Sequence, residues 1–310
     1  MNSTTIERQI AARRAELLAR CPVIRAPENA DGPPVHITDW GATGPGVFLV
    51  HGGVQGGVGG GPVNFTGQKA LADQGWRLRL IDRPGFGLSP SRGPDDMVAD
   101  ARLVAEHLGK SSHLIGHSFG GAEALLAAAL KPRVVRSLVL VEPALQPLLT
   151  TDPESVKLPG VQSGLRLVSH ALLSASTPGA FASAFAESLG TGVDGGPNPS
   201  AAALRGRPEL AEGLGCALLR AQTASPAEMR KAADAIVKAG IPVLIISGGY
   251  DQGQDATGQA LANLLRGRHI IVRSANHFIQ QSSPKDFDRV VDAFMREADH
   301  ARATMRGQDA

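Results

Sequence analysis

Residues 113–130, HLIGHSFGGAEALLAAAL, hold one serine, Ser118, between Gly116 and Gly120. An apolar run precedes the pentapeptide and a helical pattern follows it. A serine hydroxyl raised on so sharp a strand-to-helix turn is placed for nucleophilic attack on a carbonyl, and glycines flank it because side chains there would crowd the strained backbone. With 37 glycines in the chain, a bare Gly-x-Ser-x-Gly arises by chance roughly 0.3 times. The strand and helix around Ser118 therefore carry the reading, not the pentapeptide alone.

Such a serine needs elements that position it. Short runs rich in Val, Ile and Leu occur at Val47–Val50, Leu78–Ile81, His113–Ile115, Leu138–Val141, Val243–Ile246 and Ile270–Val272. Their length and lack of polar alternation predict strands buried on both faces of a parallel sheet. Helical patterns at Val98–Leu108, Ala122–Leu130 and Phe287–Ala298 lie between or after them, the last opened by Ser283, Pro284 and Asp286. Alternation of this kind predicts an α/β fold with its site at the carboxyl ends of the strands.

The alternation fails across residues 147–235, where Ala, Ser, Gly and Pro dominate, so this segment is expected to be a helical cap inserted into a core of residues 1–146 and 236–310. Residues 190–200, GTGVDGGPNPS, read as a flexible connector. Residues 5–19 read as an amphipathic helix lying on the main body and serving only packing.

Composition excludes several function classes. The chain is 43% hydrophobic and 19% charged, ordinary values for a globular domain. Its 31 Lys and Arg against 29 Asp and Glu give a net charge of +2, too small and too dispersed for a nucleic-acid or anionic-membrane surface. A small-molecule substrate fits better. Cys21 and Cys216 are the only cysteines; their spacing suggests neither a disulfide framework nor a zinc site, and leaves a bridge between the two open. Charged residues interrupt the first twenty positions, so no signal peptide is expected and the reading is cytoplasmic.

The chain resembles the α/β-hydrolase superfamily, over nearly all of residues 35–298 apart from the cap. The resemblance rests on the Ser118 pentapeptide together with LVHGG (49–53), IDRPGFGLS (81–89), LVLVEPAL (138–145), IPVLIISGGYD (241–251) and ANHF (275–278), in the superfamily's order. It implies an α/β-hydrolase fold, with a mostly parallel central sheet flanked by helices and an inserted helical cap. It further implies a serine hydrolase of the carboxylesterase or lactonase type, with Ser118 as nucleophile, His277 as general base, and the amides of Gly53 and Phe119 as oxyanion hole.

Two carboxylates suit the acid's place, and the resemblance leaves both open. Asp251 occupies the commoner superfamily position and is preferred over Glu142, which stands where a minority of families place the acid. Asp255 is a remote third option, and His117 a weak competitor to His277. The Asp82–Gly87 loop resembles a brace around the site, its Asp and Arg able to pair.

A serine at position 118 argues against dehalogenase and epoxide-hydrolase chemistry of this fold, which uses an aspartate. No motif calls for a metal, nucleotide or flavin, so no cofactor is expected. The expected partner is an ester or lactone, although amides, thioesters and carbon–carbon bonds beside a carbonyl suit the same triad. A triad-bearing small-molecule receptor is the alternative. Phe181 and Phe185 are candidates for a cap pocket or for the cap's own core, and nothing in the sequence fixes an oligomeric state.

Overall fold

Seven strands, β1 (Ile37–Trp40), β2 (Gly46–Val50), β3 (Arg77–Ile81), β4 (Ser112–His117), β5 (Val135–Val141), β6 (Val243–Ser247) and β7 (Arg268–Ile271), form one sheet in the order β1-β3-β2-β4-β5-β6-β7. The computed structural model describes residues 3–24, 34–57 and 59–308. Only β1 runs antiparallel to its neighbour, β3; the other pairs are parallel. Five of the six apolar runs fall within β2 to β6, and the sixth, Ile270–Val272, overlaps the second half of β7. β1 was not expected: its four residues include Thr38 and Asp39 between Ile37 and Trp40, so the partly buried strand shows no apolar run.

Successive residues of a strand point to opposite faces, and both faces here are covered. Phe48, Val50, Leu114, Leu138, Leu140 and Ile245 pack into one buried cluster, with the helices Met97–His107, Phe119–Leu130 and Pro226–Lys238. Val47, Leu49, Ile115, Val139, Val141 and Ile246 pack into the other, closed by Trp76 and by Phe287, Val291 and Met295 of the C-terminal helix Pro284–Gln308. Burial on both sides is what makes these strands read as continuous apolar runs.

Between β5 and β6 the chain leaves the sheet and forms the helices Pro159–Ser174, Pro178–Glu187, Pro199–Leu204 and Pro208–Arg220 before returning through Pro226–Lys238. Each begins on a proline, whose fixed φ and missing N–H suit the first helical turn. Helix Pro226–Lys238 spans the boundary expected at residue 235, and its Met229, Ala232, Ala233 and Ile236 join the core against the helix that follows Ser118.

The N-terminal helix Ser3–Leu18 packs on this helical insert, not on the sheet. Leu17 is fully buried among Ala171, Leu172, Phe181 and Leu219. A disulfide joins Cys21 to Cys216, a pairing that 195 residues of sequence separation hid. The 190–200 segment is hydrogen-bonded: Asn198 Nδ2 donates to the carbonyls of Ala186 (2.7 Å) and Gly190 (2.8 Å), and Asn276 Nδ2 donates to that of Thr191 (2.6 Å). It is thereby tied to the loop that carries His277.

Candidate active site

Ser118 sits between the end of β4 and the helix Phe119–Leu130, with φ 55° and ψ −121°. A non-glycine residue with positive φ costs of order 1–3 kcal/mol and persists only where its surroundings hold it. They do so here: Ser118 N–H donates to Val141 O at 2.9 Å, and Ser118 O accepts from Gly121 and Ala144 N–H at 2.9 and 2.8 Å. The flanking glycines are a matter of space. A Cβ on Gly116 would lie 2.5 Å from Gly120 O, and one on Gly120 would lie 2.2 Å from His51 O.

His277 lies in the loop after β7, its N–H donating to Leu189 O at 2.9 Å. Its Nδ1 meets Glu142 Oε2 at 2.6 Å, with both residues buried. Glu142 follows β5 at φ 37°, and with Ser118 and Arg266 is one of three non-glycine residues of positive φ among those described. Its remaining lone pairs are also engaged: Gly248 N–H donates to Oε1 at 2.9 Å and Tyr250 Oη–H to Oε2 at 2.7 Å. Burial and then the Glu142 charge push the Tyr250 phenol's pKa up, so it stays a donor.

The structure thus places Glu142, not Asp251, against His277. Asp251, preferred from its position in the chain, is the N-cap of the helix Gln252–Leu264 and accepts from Gln254 N–H at 2.8 Å. A helix that starts at the very next residue draws this carboxylate to its own unsatisfied amides. Asp255 is equally engaged, accepting from Ser247 Oγ at 2.5 Å and Gly249 N–H at 3.1 Å. Tyr250 was missed by the sequence reading; its place in the turn between β6 and Asp251 was the only available signal.

His117 is not beside the acid. Burial, then the neighbouring His277, drive its pKa well below the ordinary value, so the neutral ring donates from Nε2 to His277 O at 3.0 Å. His51 is likewise neutral, lowered to about 3 by burial and then by the charge of Arg83. Its Nε2 accepts from Arg83 N–H at 3.1 Å, which leaves Nδ1–H to donate to Gly52 O at 2.9 Å.

Gly53 has φ 84°, and Phe119 opens its helix, where the first amides have no intrahelical acceptor. Both line one cavity with Ser118 and His277. Arg83 braces the two. Its Nη1 donates to Gly53 O at 2.9 Å, and its guanidinium lies 4.7 Å from the Phe119 ring centre and 5.1 Å from that of Phe86.

The expected pairing of Asp82 with Arg83 is not formed. Asp82 accepts from Gly61 and Leu88 N–H, while the fully buried Arg83 faces Glu123 at 2.9 Å, Asp95 at 3.1 Å and Asp100 at 3.4 Å. Burial alone would lower the guanidinium's pKa, but these carboxylates outweigh it and hold it above its ordinary value. Burial also pushes Asp100 up to about 6 and Glu123 well above the usual range, against the pull of Arg83. Arg83→Met is expected to destabilise the fold by about 3–5 kcal/mol, because it strands buried carboxylates; urea denaturation measures it.

The cavity, about 390 Å³, lies between the sheet and the helical insert. Phe181 and Phe185 line it, and Phe181 also belongs to the insert's own core, so both sequence alternatives for these rings hold. No group of three His, Cys, Asp or Glu side chains placed to hold a metal occurs among the described residues.

The family model for the alpha/beta hydrolase fold matches residues 45–284, and the chain belongs to that family. It is similar to pimeloyl-(acyl-carrier protein) methyl ester esterase of Neisseria meningitidis, with 30% identity over 204 residues, 64% of this chain and 74% of that protein. Among solved structures it resembles a thermophilic esterase from Thermogutta terrifontis, with TM-score 0.56 and 22% identity over 85% of this chain and 93% of that one. It also resembles the 2-hydroxy-6-oxo-6-phenylhexa-2,4-dienoate hydrolase of a Rhodococcus species, with TM-score 0.61 and 17% identity over 84% and 94% of the two chains. At those identities the structural likeness speaks for the fold alone.

Proposed function

We propose that this protein is a serine hydrolase that cleaves a carboxylic ester or lactone through an acyl-enzyme, with Ser118, His277 and Glu142 as its triad. The observation that carries the reading is the 2.6 Å contact between His277 Nδ1 and Glu142 Oε2, with His277 lining a cavity that Ser118 also lines. A carboxylate on Nδ1 holds the proton there and leaves Nε2 as the base. Ser118 Oγ attacks the carbonyl carbon as its proton passes to Nε2. The carbonyl oxygen takes up the charge facing the amides of Gly53 and Phe119, where one lost donor is worth about 2.7–4 kcal/mol. The tetrahedral species collapses, the leaving alkoxide takes the proton from Nε2, and water repeats the sequence on the acyl-enzyme.

An ester is favoured because the sequence relative is named an esterase, and because the cavity's lining is largely apolar. No helix among the described residues is long and apolar enough to cross a membrane. The cytoplasmic expectation meets one opposing feature, since structural disulfides persist mainly in oxidising compartments.

Labelling by a fluorophosphonate, with the modified peptide mapped, tests the reading directly: modification at Ser118 supports it, and a folded protein left unlabelled and inert toward 4-nitrophenyl acetate, 4-nitrophenyl butyrate and a lactone panel overturns it. Tyr250→Phe is expected to lower kcat about tenfold with little change in KM, because a hydrogen bond to a charged group contributes about 1.5–3 kcal/mol and this one orients Glu142 rather than substrate. Steady-state kinetics on 4-nitrophenyl butyrate checks it.

A further inference from the structure

The helix Ser3–Leu18 precedes the whole sheet, yet it contributes Ile10 and Arg14 to the wall of the cavity that contains Ser118 and His277. Its place there is held from several sides. Leu17 is buried against the insert, Arg13 donates to Ala175 O, Arg20 Nη1 donates to Ser176 O at 2.6 Å, and the Cys21–Cys216 bond ties the following turn to helix Pro208–Arg220. So anchored, the helix is a fixed wall.

The lining is otherwise apolar or neutral-polar: no Asp, Glu or Lys lines the cavity, and Arg14 is its only formal charge among the described residues. The guanidinium is fixed by donation from Nε to Leu219 O at 3.2 Å and from Nη2 to Leu219 O at 2.8 Å and Ala221 O at 3.2 Å. Those bonds use carbonyls, which do not neutralise the charge, and they leave Nη1 to a ligand. The side chain is solvent-exposed, so it marks the cap-side edge of the cavity, while Ser118 lies at the sheet. A largely apolar cavity lined by a nucleophile from the sheet domain and by a lone cation from the N-terminal helix suits a ligand with the inverse pattern.

We infer that the substrate is an ester whose apolar acyl chain ends in an anionic group, a carboxylate or its equivalent, bound by Arg14 of the N-terminal helix. This rests on the hydrolase reading and adds to it a substrate class. A helix outside the sheet domain then forms part of the specificity site.

The test compares mono-4-nitrophenyl adipate with 4-nitrophenyl hexanoate, of equal chain length. In the wild type, kcat/KM should favour the adipate, and Arg14→Gln should reduce that ratio about fivefold, mainly through KM, as expected for one partly solvated charge-assisted contact. Arg14→Lys, which keeps the charge, should retain most of the preference. Salt should erode the preference in the wild type and not in Arg14→Gln. A ratio equal in wild type and Arg14→Gln, with both esters turned over, leaves the hydrolase reading standing and overturns this one, because Arg14 then serves only to tie the helix to Leu219 and Ala221. If neither ester is turned over, calorimetric binding of monomethyl adipate and methyl hexanoate decides: a selective loss of the adipate ester in Arg14→Gln supports the anion site, and equal binding by both proteins removes it.

Discussion

Ser118→Ala is expected to lower kcat/KM toward 4-nitrophenyl butyrate by about 10⁴-fold or more, equivalent to at least about 5.5 kcal/mol of transition-state stabilisation. The loss should fall on kcat, because the hydroxyl forms a bond only after substrate is in place. A residual rate above the uncatalysed one is still expected, from positioning and from the Gly53 and Phe119 amides, which the substitution leaves untouched. The variant should fold, since alanine fills less space than serine and the strained backbone at φ 55° is held by bonds from Ser118 N–H and to Ser118 O, not by the side chain. Circular dichroism and a thermal melt establish that point. Turnover that survives in a folded Ser118→Ala variant would place the nucleophile elsewhere and remove the proposed mechanism. Slow wild-type turnover with tight product retention would instead favour a triad-bearing receptor.

The sheet and the serine elbow were legible because their signals are local. β2 and β4 to β6 are buried on both faces and β3 largely so, which makes each read as an apolar run, and Gly116 and Gly120 sit where any Cβ would strike backbone. What stayed hidden depends on contacts between distant residues. β1 has no apolar run because Thr38 and Asp39 separate Ile37 from Trp40. The Cys21–Cys216 bond joins an N-terminal helix to an insert whose path the sequence does not give. The insert's helices were marked by prolines at their first turns, yet the apolar faces of the longer ones do not say which distant element they pack against. The role expected for residues 5–19 was packing alone, and nothing in their pattern reveals that Ile10 and Arg14 reach a cavity built by other elements. The structure departs from the expected order of the two acids for a related reason. Position in the chain favours Asp251, whereas in the fold Asp251 accepts from Gln254 N–H and Glu142, at positive φ, meets His277.

That ranking leads to the second large expected effect. Glu142→Gln should lower kcat by about 10³–10⁴-fold, and Asp251→Asn by less than about threefold. The carboxylate at 142 meets three donors: Gly248 N–H on Oε1, and Tyr250 Oη–H with His277 Nδ1–H on Oε2. Glutamine has one acceptor oxygen. With that oxygen kept by Gly248 N–H, its amide NH₂ faces His277 Nδ1 and stabilises the tautomer protonated at Nε2, which cannot take the proton of Ser118. The loss should therefore appear in kcat, with substrate affinity nearly unchanged because Glu142 lies behind the imidazole. Asparagine at 251, by contrast, still accepts from Gln254 N–H as an N-cap, where Asn and Asp are nearly equivalent. Asp251→Ala should cost about 1 kcal/mol of stability and leave kcat close to wild type. The paired measurement separates the two carboxylates cleanly. If Asp251→Asn proves the more damaged variant while Glu142→Gln stays active, the 2.6 Å contact with His277 is a structural hydrogen bond, and the acid must reach the imidazole by rearrangement of the turn that carries Tyr250 and Asp251.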